Sequence, residues 1–238
     1  MTSPIVQSSD PVTLVGGGDL SPEDISQALS VAPCLVAADG GARAVIAEGH
    51  EPRAVIGDFD SLQPEDRANL PQDVLFPIRE QDSTDFDKAL RNIQAPLVLG
   101  VGFLGGRIDH QLAVFNALVR HADRPCLLLG AHEVIFHAPQ RLELSVEPGS
   151  IVSLFPLASV TGRSHGLEWP IDGLQLAPDG RVGTSNRALG PIVLEMDTPG
   201  LLVLVPRVEL NTVIRAFGIS QTDSAERLAA ELWPARAK

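Results

Sequence analysis

The chain has 238 residues, 44% of them hydrophobic and 20% charged, a balance that suits a folded core and argues against disorder. Its formal net charge of −12 argues against a nucleic-acid partner, which needs clustered Lys and Arg. Two cysteines, six scattered histidines, no long apolar run and an opening "MTSPIVQSSD" give no disulfide framework, zinc pattern, membrane span or signal peptide, so a reducing cytoplasm is expected.

Short apolar runs alternate with helical patterns through the first half. "VTLVGG" at 12–17 is predicted as a strand and "SPEDISQALS" as a helix, with Ser21 capping it and Pro22 at its first position. The plan repeats in "CLVAADGGARAVIAEG": a strand over 34–37, a turn at Asp39-Gly40-Gly41, then a helix ending near Gly49. Cys34 and Cys126 read as small buried hydrophobes at strand starts. "RAVIGDFD" is a third strand. "DSTDFDKALRNI" sets Phe86, Ala89, Leu90 and Ile93 at helical spacing behind a cap at Ser83 or Thr84, with Lys88 expected on the helix surface. "PLVLGVG" and "PCLLLG" are further strands. Between them, "GGRIDHQLAVFNALVRH" puts Ile108, Leu112, Phe115 and Leu118 on one broad apolar face. The strands are continuously apolar, as in a sheet covered on both faces, so 1–130 is expected to be a mostly parallel α/β domain.

After residue 130 the pattern changes. "HEVIFHA", "RLELSVEPGSIVSLFPL", "DGLQLA", "GPIVLEM" and "GLLVLVP" are short strand-like runs parted by Pro, Gly and Asn turns. An antiparallel β domain, a sandwich or barrel-like module, is expected over 131–218, then a helical tail over 219–238.

Four acidic clusters follow the first-half strands: Asp39, the Asp58/Asp60 pair in "VIGDFDSL", Asp82 with Asp85, and Asp109. Ligands bind beyond the carboxyl ends of parallel strands. Carboxylates gathered there repel one another unless they surround cations, and hard oxygen donors suit Mg²⁺ bridging to phosphate. Gly40-Gly41 and Gly105-Gly106 would let backbone approach a phosphate, and Arg107 would offer it a forked cation. "LVGGGDLS" lacks the Gly-Lys-Ser/Thr ending of a phosphate-binding P-loop. In the second half, Trp169 is either a core residue or a stacking platform for a flat ring, and "TSN" at 184–186 is either turn chemistry or a polar floor for that ring.

Taken in order, "DGG" at 39–41, "GDFDS" at 57–61, "DSTD" at 82–85, "GGRIDH" at 105–110, "GLEW" at 166–169 and "SN" at 185–186 resemble the thiamine pyrophosphokinase family. The resemblance implies an α/β catalytic domain followed by a β-sandwich. It also implies transfer of a pyrophosphoryl group from ATP to thiamine, with AMP released, in a homodimer whose active sites lie between subunits. By the same resemblance Asp58, Asp60 and Asp85 hold Mg²⁺, while Asp39, Gly40, Gly41, Asp82, Thr84, Arg107 and Asp109 serve the nucleotide. Arg107 and Asp109 also join the three metal-holding carboxylates as catalytic residues, and Trp169, Ser185 and Asn186 bind thiamine.

Two positions depart from the family pattern: Gln81 stands where a Lys is frequent, and Arg187 adds a positive charge expected to face solvent or phosphate. A Mg²⁺-dependent phosphohydrolase or another nucleotide kinase would use the same acidic cluster. A non-enzymatic thiamine or nucleotide-binding module would have little need of so many carboxylates.

Overall fold

A computed structural model describes residues 3–219, so the tail expected over 219–238 lies outside it apart from Ile219. In chain order the first half forms β1 (Val6–Gln7), β2 (Val12–Val15), α1 (Asp24–Leu29), β3 (Cys34–Ala38), α2 (Gly41–Ala47), β4 (Ala54–Gly57) and α3 (Pro64–Ala68). It continues through β5 (Leu75–Pro77), α4 (Asp85–Arg91), β6 (Ile93–Gln94), β7 (Val98–Val101), α5 (Ile108–Arg120) and β8 (Cys126–Leu129). The second half forms β9 (Glu133–His137), β10 (Arg141–Leu144), β11 (Ile151–Pro156), β12 (Gly162–Leu167), β13 (Gly183–Met196), β14 (Leu201–Pro206) and α6 (Leu210–Ala216).

The parallel part consists of β2-β7-β8 and β3-β4-β5. β3 lies against β2, tied by the bridge between Val12 and Pro33. Because strand side chains alternate between faces, the sheet has two cores. Leu14, Val36, Ile56 and Leu128 pack with Phe86 and Leu90 of α4 and with Val114 and Leu118 of α5. Val15, Ala37, Val55 and Leu127 face the other way, onto α1 and α2. That second core runs on into the antiparallel part through Phe136, Leu154, Leu194 and Val203.

The boundary expected near residue 130 falls in the turn of the β8–β9 hairpin, where pairing changes from parallel to antiparallel. The sheet itself does not stop there: β9, β14, β11 and β13 continue it. β13 belongs to two layers. Its first half pairs with β11, while its second half lies between β10 and β12. The architecture is therefore α/β with a mixed sheet.

Several local expectations need correction. Ile108 and Leu112 are 72% and 60% exposed, because α5 becomes buried only from Val114 onward. Lys88 is not on a surface; it is 1% exposed, since α4 turns that face onto the sheet. Cys126 is buried as expected, but Cys34 is only half-buried. α1 starts at Asp24 with Glu23 as its cap residue, and Ser21 instead forms a reciprocal pair of bonds with Asp24. "DGLQLA" forms a turn and one bridge, Val160 to Leu176, rather than a strand. "TSN" lies inside β13, not in a turn.

Candidate active site

The carboxylates sit where two parallel strands end. β3 runs into Asp39 and β4 into Asp58, and the strands are in register from Val36–Ala54 to Ala38–Ile56. Two glycines let the turns close together. A Cβ on Gly41 would collide with the carbonyl oxygen of Val15, and one on Gly57 would lie 2.7 Å from the Asp39 Cβ. Asp39, Asp58 and Asp60 thereby each present a carboxylate oxygen within 4.8 Å of the others.

Asp39 is buried, and its Oδ1 has no hydrogen-bond partner. Its Oδ2 accepts from the backbone N–H of Ser61 at 3.1 Å. Burial, reinforced by the negative charge of Asp85, raises its pKa to about 6. An unpaired buried carboxylate is costly, and a cation relieves the cost. Asp60 is exposed and accepts from the Ser61 hydroxyl at 2.9 Å.

On the other side of Asp58 stands Lys88, its Nζ 2.7 Å from Asp58 Oδ2 and 3.1 Å from Asp85 Oδ1. The hydrogen bond from Lys88 holds the Asp58 carboxyl below its usual range, whereas burial pushes Asp85 up. Burial works against the Lys88 charge, but its bonds to both aspartates outweigh it and raise its pKa. Gln81 reaches Asp58 Oδ2 at 3.4 Å, so the residue that departs from the family pattern still contacts the cluster.

Other expected residues lie elsewhere. The Thr84 hydroxyl caps α4 by accepting from the backbone N–H of Asp87. Asp82 is exposed, with its backbone N–H on Glu80. Arg107 and Asp109 pair with each other at 2.6 Å on the exposed start of α5, and not with the Asp58 cluster. The loop Gly16–Gly18 was the missed piece: it runs beside Gly102, bonded through the Gly18 N–H at 2.7 Å, and lies against Gly40. The absence of a P-loop ending concealed it, although three consecutive glycines after a strand were a usable signal. An open cavity of about 490 Å³ lined by Gln7, Ser8, Ser9, Gln94, Ala95 and Pro96 lies at the opposite, amino-terminal ends of β2 and β7.

Trp169 is 54% exposed and therefore no core residue. Asn186, buried, clamps its backbone: Oδ1 accepts from the Trp169 N–H at 3.1 Å, and Nδ2 donates to the Trp169 carbonyl at 2.7 Å. Both polar atoms of that amide are thereby engaged by the Trp169 backbone. Thr184 and Ser185 lie in a β-bulge opposite Ser153, whose hydroxyl accepts from the Ser185 N–H. Arg187 is exposed, as expected. Among the described residues, the non-glycine residues with positive φ are Asp39 (40°), Phe59 (66°) and Ser185 (61°). Each falls in a stretch singled out from the sequence, consistent with strain held at functional positions.

The fold and the acid-lined strand edge define an α/β protein with a carboxylate cluster at the ends of its parallel strands, its sheet continued by antiparallel strands. The description "Thiamin pyrophosphokinase, catalytic domain" matches residues 25–128. Thiamine pyrophosphokinase 3 of Oryza sativa subsp. japonica is 28% identical over 186 residues, covering 63% of this chain and 69% of that protein. Thiamine pyrophosphokinase 1 of the same plant is 29% identical over 157 residues, covering 58% of this chain and 59% of that one, so this chain spans under two thirds of its length. The thiamin pyrophosphokinase structure from Geobacillus thermodenitrificans superposes with a TM-score of 0.69 at 25% identity, over 82% of this chain and 96% of the other. The one from Candida albicans has the same fold, with a TM-score of 0.69 at 17% identity over 84% and 92%. Over residues 25–128 the chain is similar to the catalytic domain of the thiamin pyrophosphokinase family.

Proposed function

We propose that the protein transfers the pyrophosphoryl group of ATP to the hydroxyl of thiamine in the cytoplasm, giving thiamine diphosphate and AMP. The observation that carries this reading is the convergence of Asp39, Asp58 and Asp60 at the carboxyl edge of the parallel strands. An all-oxygen donor set with one buried, unpartnered oxygen fits a hard divalent cation such as Mg²⁺. Once bound, that cation polarises phosphoryl oxygens and offsets their charge.

The chain's own residues position and screen. Lys88 keeps Asp58 ionised. Arg107, exposed and bonded to Asp109 beside it, is free to turn its forked guanidinium onto the nucleotide phosphates. Trp169 offers an exposed face on which the cationic thiamine ring system stacks. The substrate hydroxyl attacks the β-phosphorus, the bond from that atom to the α-bridging oxygen breaks, and AMP leaves with that oxygen. The hydroxyl proton passes to a carboxylate or to solvent. Positioning and electrostatics suffice for such a transfer without a covalent enzyme intermediate.

The strand order supports an assembly with shared sites. From β13 beside Trp169 the order runs β11, β14, β9, β8, β7, β2 to β3 beside Asp39. At about 4.8 Å per strand, the seven steps of that path span roughly 34 Å along the sheet. A homodimer in which one subunit supplies the carboxylates and its partner the Trp169 platform resolves the separation. A phosphohydrolase would use the acids but would leave the clamped, exposed Trp169 without a task. Incubating the purified protein with ATP, Mg²⁺ and thiamine is expected to give AMP and thiamine diphosphate in equal amounts. ADP as the nucleotide product, or untouched thiamine, contradicts the reading.

A further inference from the structure

Trp169 combines an exposed side chain with a tightly bonded backbone. The residue is 54% exposed, whereas Leu167 and Ile171 on either side of it are both 3% exposed. Pro170 disfavours helical conformations of the Trp169 backbone and fixes its own φ. Each backbone N–H from Glu168 to Ile171 is bonded, Pro170 having none to offer. Glu168 donates to the Arg187 carbonyl at 2.8 Å and Trp169 to Asn186 Oδ1 at 3.1 Å. Ile171 donates to Ser164 Oγ at 3.0 Å.

The bond to Ser164 is one half of a closure. Ser164 lies in β12, ahead of the loop, and its own N–H donates to Asp172 Oδ2 at 3.1 Å. These two bonds tie the end of the loop back to the strand that enters it. The Trp169 loop is therefore gripped from two strands, by Asn186 and Arg187 of β13 and by Ser164 of β12. Ordering a segment costs conformational entropy, and burial of the indole does little here to offset it. Order of this kind favours an external ligand, because a group already held in place need not be ordered on binding.

We infer that Ser164 and Asp172 are positioning residues for the acceptor: together they close the Trp169 loop onto β12 and hold the indole in place before thiamine arrives. The inference rests on the reading of Trp169 as the face on which thiamine stacks.

The test is made in a Trp233→Phe background, which leaves Trp169 as the one tryptophan of the chain. Without ligands, time-resolved fluorescence anisotropy reads the motion of the indole. Asp172→Ala and Ser164→Ala should each enlarge its fast component. Asp172→Asn, which keeps an acceptor oxygen, and Ser164→Thr, which keeps the hydroxyl, should restore it. With ATP and Mg²⁺ present, each alanine variant should raise the KM for thiamine about threefold or more and leave kcat within about twofold. If Ser164→Ala fails to fold, the contrast between Ala and Asn at exposed Asp172 carries the test. Unchanged anisotropy in the alanine variants, a loss confined to kcat, or Asp172→Asn as impaired as Asp172→Ala would overturn the inference. The anisotropy is read without substrate, so the two failures are distinct. Untouched thiamine in the parent protein sinks the functional reading, whereas unchanged anisotropy sinks the closure alone.

Discussion

Asp39 is the residue on which the electrostatics of the cluster turn. Burial lifts its pKa to about 6, so the folded chain binds its proton more tightly than the unfolded chain does. Its contribution to stability is therefore present below the unfolded value of about 4 and lost as pH rises through about 6. Asp58 acts in the opposite sense, because its Lys88 bond lowers its pKa and its contribution is lost as pH falls. In chelator, Asp39→Asn should gain stability over wild type as pH rises from about 4 to about 6, as read by urea denaturation at each pH. A wild-type minus variant difference that is flat with pH would show that Asp39 is not held protonated by its surroundings. The sequence made Asp39 visible as a turn residue beside two glycines. It did not show that Asp39 joins Asp58 and Asp60, because that trio depends on β3 and β4 pairing in register. Lys88 was misread for a related reason: helical spacing gives a face, but which face meets the sheet is a tertiary fact.

At the scale of elements, α4 carries both Asp85 and Lys88, so its start sets the geometry beside Asp58. Thr84 holds that start by accepting from the Asp87 N–H. Thr84→Ala should cost about 1 kcal/mol in denaturation, with Thr84→Ser largely restoring it. Equal stability of Thr84→Ala and wild type would remove the cap from the account. This cap, and the strands that feed the acidic turns, were legible in the sequence because local propensity and burial agree there. The β13 bulge was not. "TSN" has turn composition, and only its pairing with β11 on either side of Ser153 reveals that its one extra residue sits within a strand. The apolar spacing of α5 likewise gave a true periodicity but the wrong extent, since Ile108 and Leu112 stay exposed.

For the whole molecule, the continuous sheet separates the carboxylate edge from the Trp169 platform, and the proposed dimer joins them. A two-fold dimer with shared sites makes a quantitative demand. Trp169→Ala and Asp60→Asn proteins, each nearly inactive at low thiamine, should recover about a quarter of wild-type activity when mixed one to one and allowed to exchange subunits. Half of the dimers are then mixed, and each has one of its two sites intact. No recovery after verified exchange would place both halves of the site in one chain. The α/β class and the change from parallel to antiparallel pairing could be read from the change in strand patterning near residue 130. That the sheet passes through this point unbroken could not, because the hairpin turn there looks like any domain boundary in sequence.

The most direct test of the central claim follows the transferred atoms. With ATP radiolabelled on its β-phosphorus, Mg²⁺ and thiamine, the account predicts that all consumed label appears in thiamine diphosphate, with unlabelled AMP released in equal amount. Label retained in ADP, or released as phosphate or pyrophosphate while thiamine is unchanged, would contradict it.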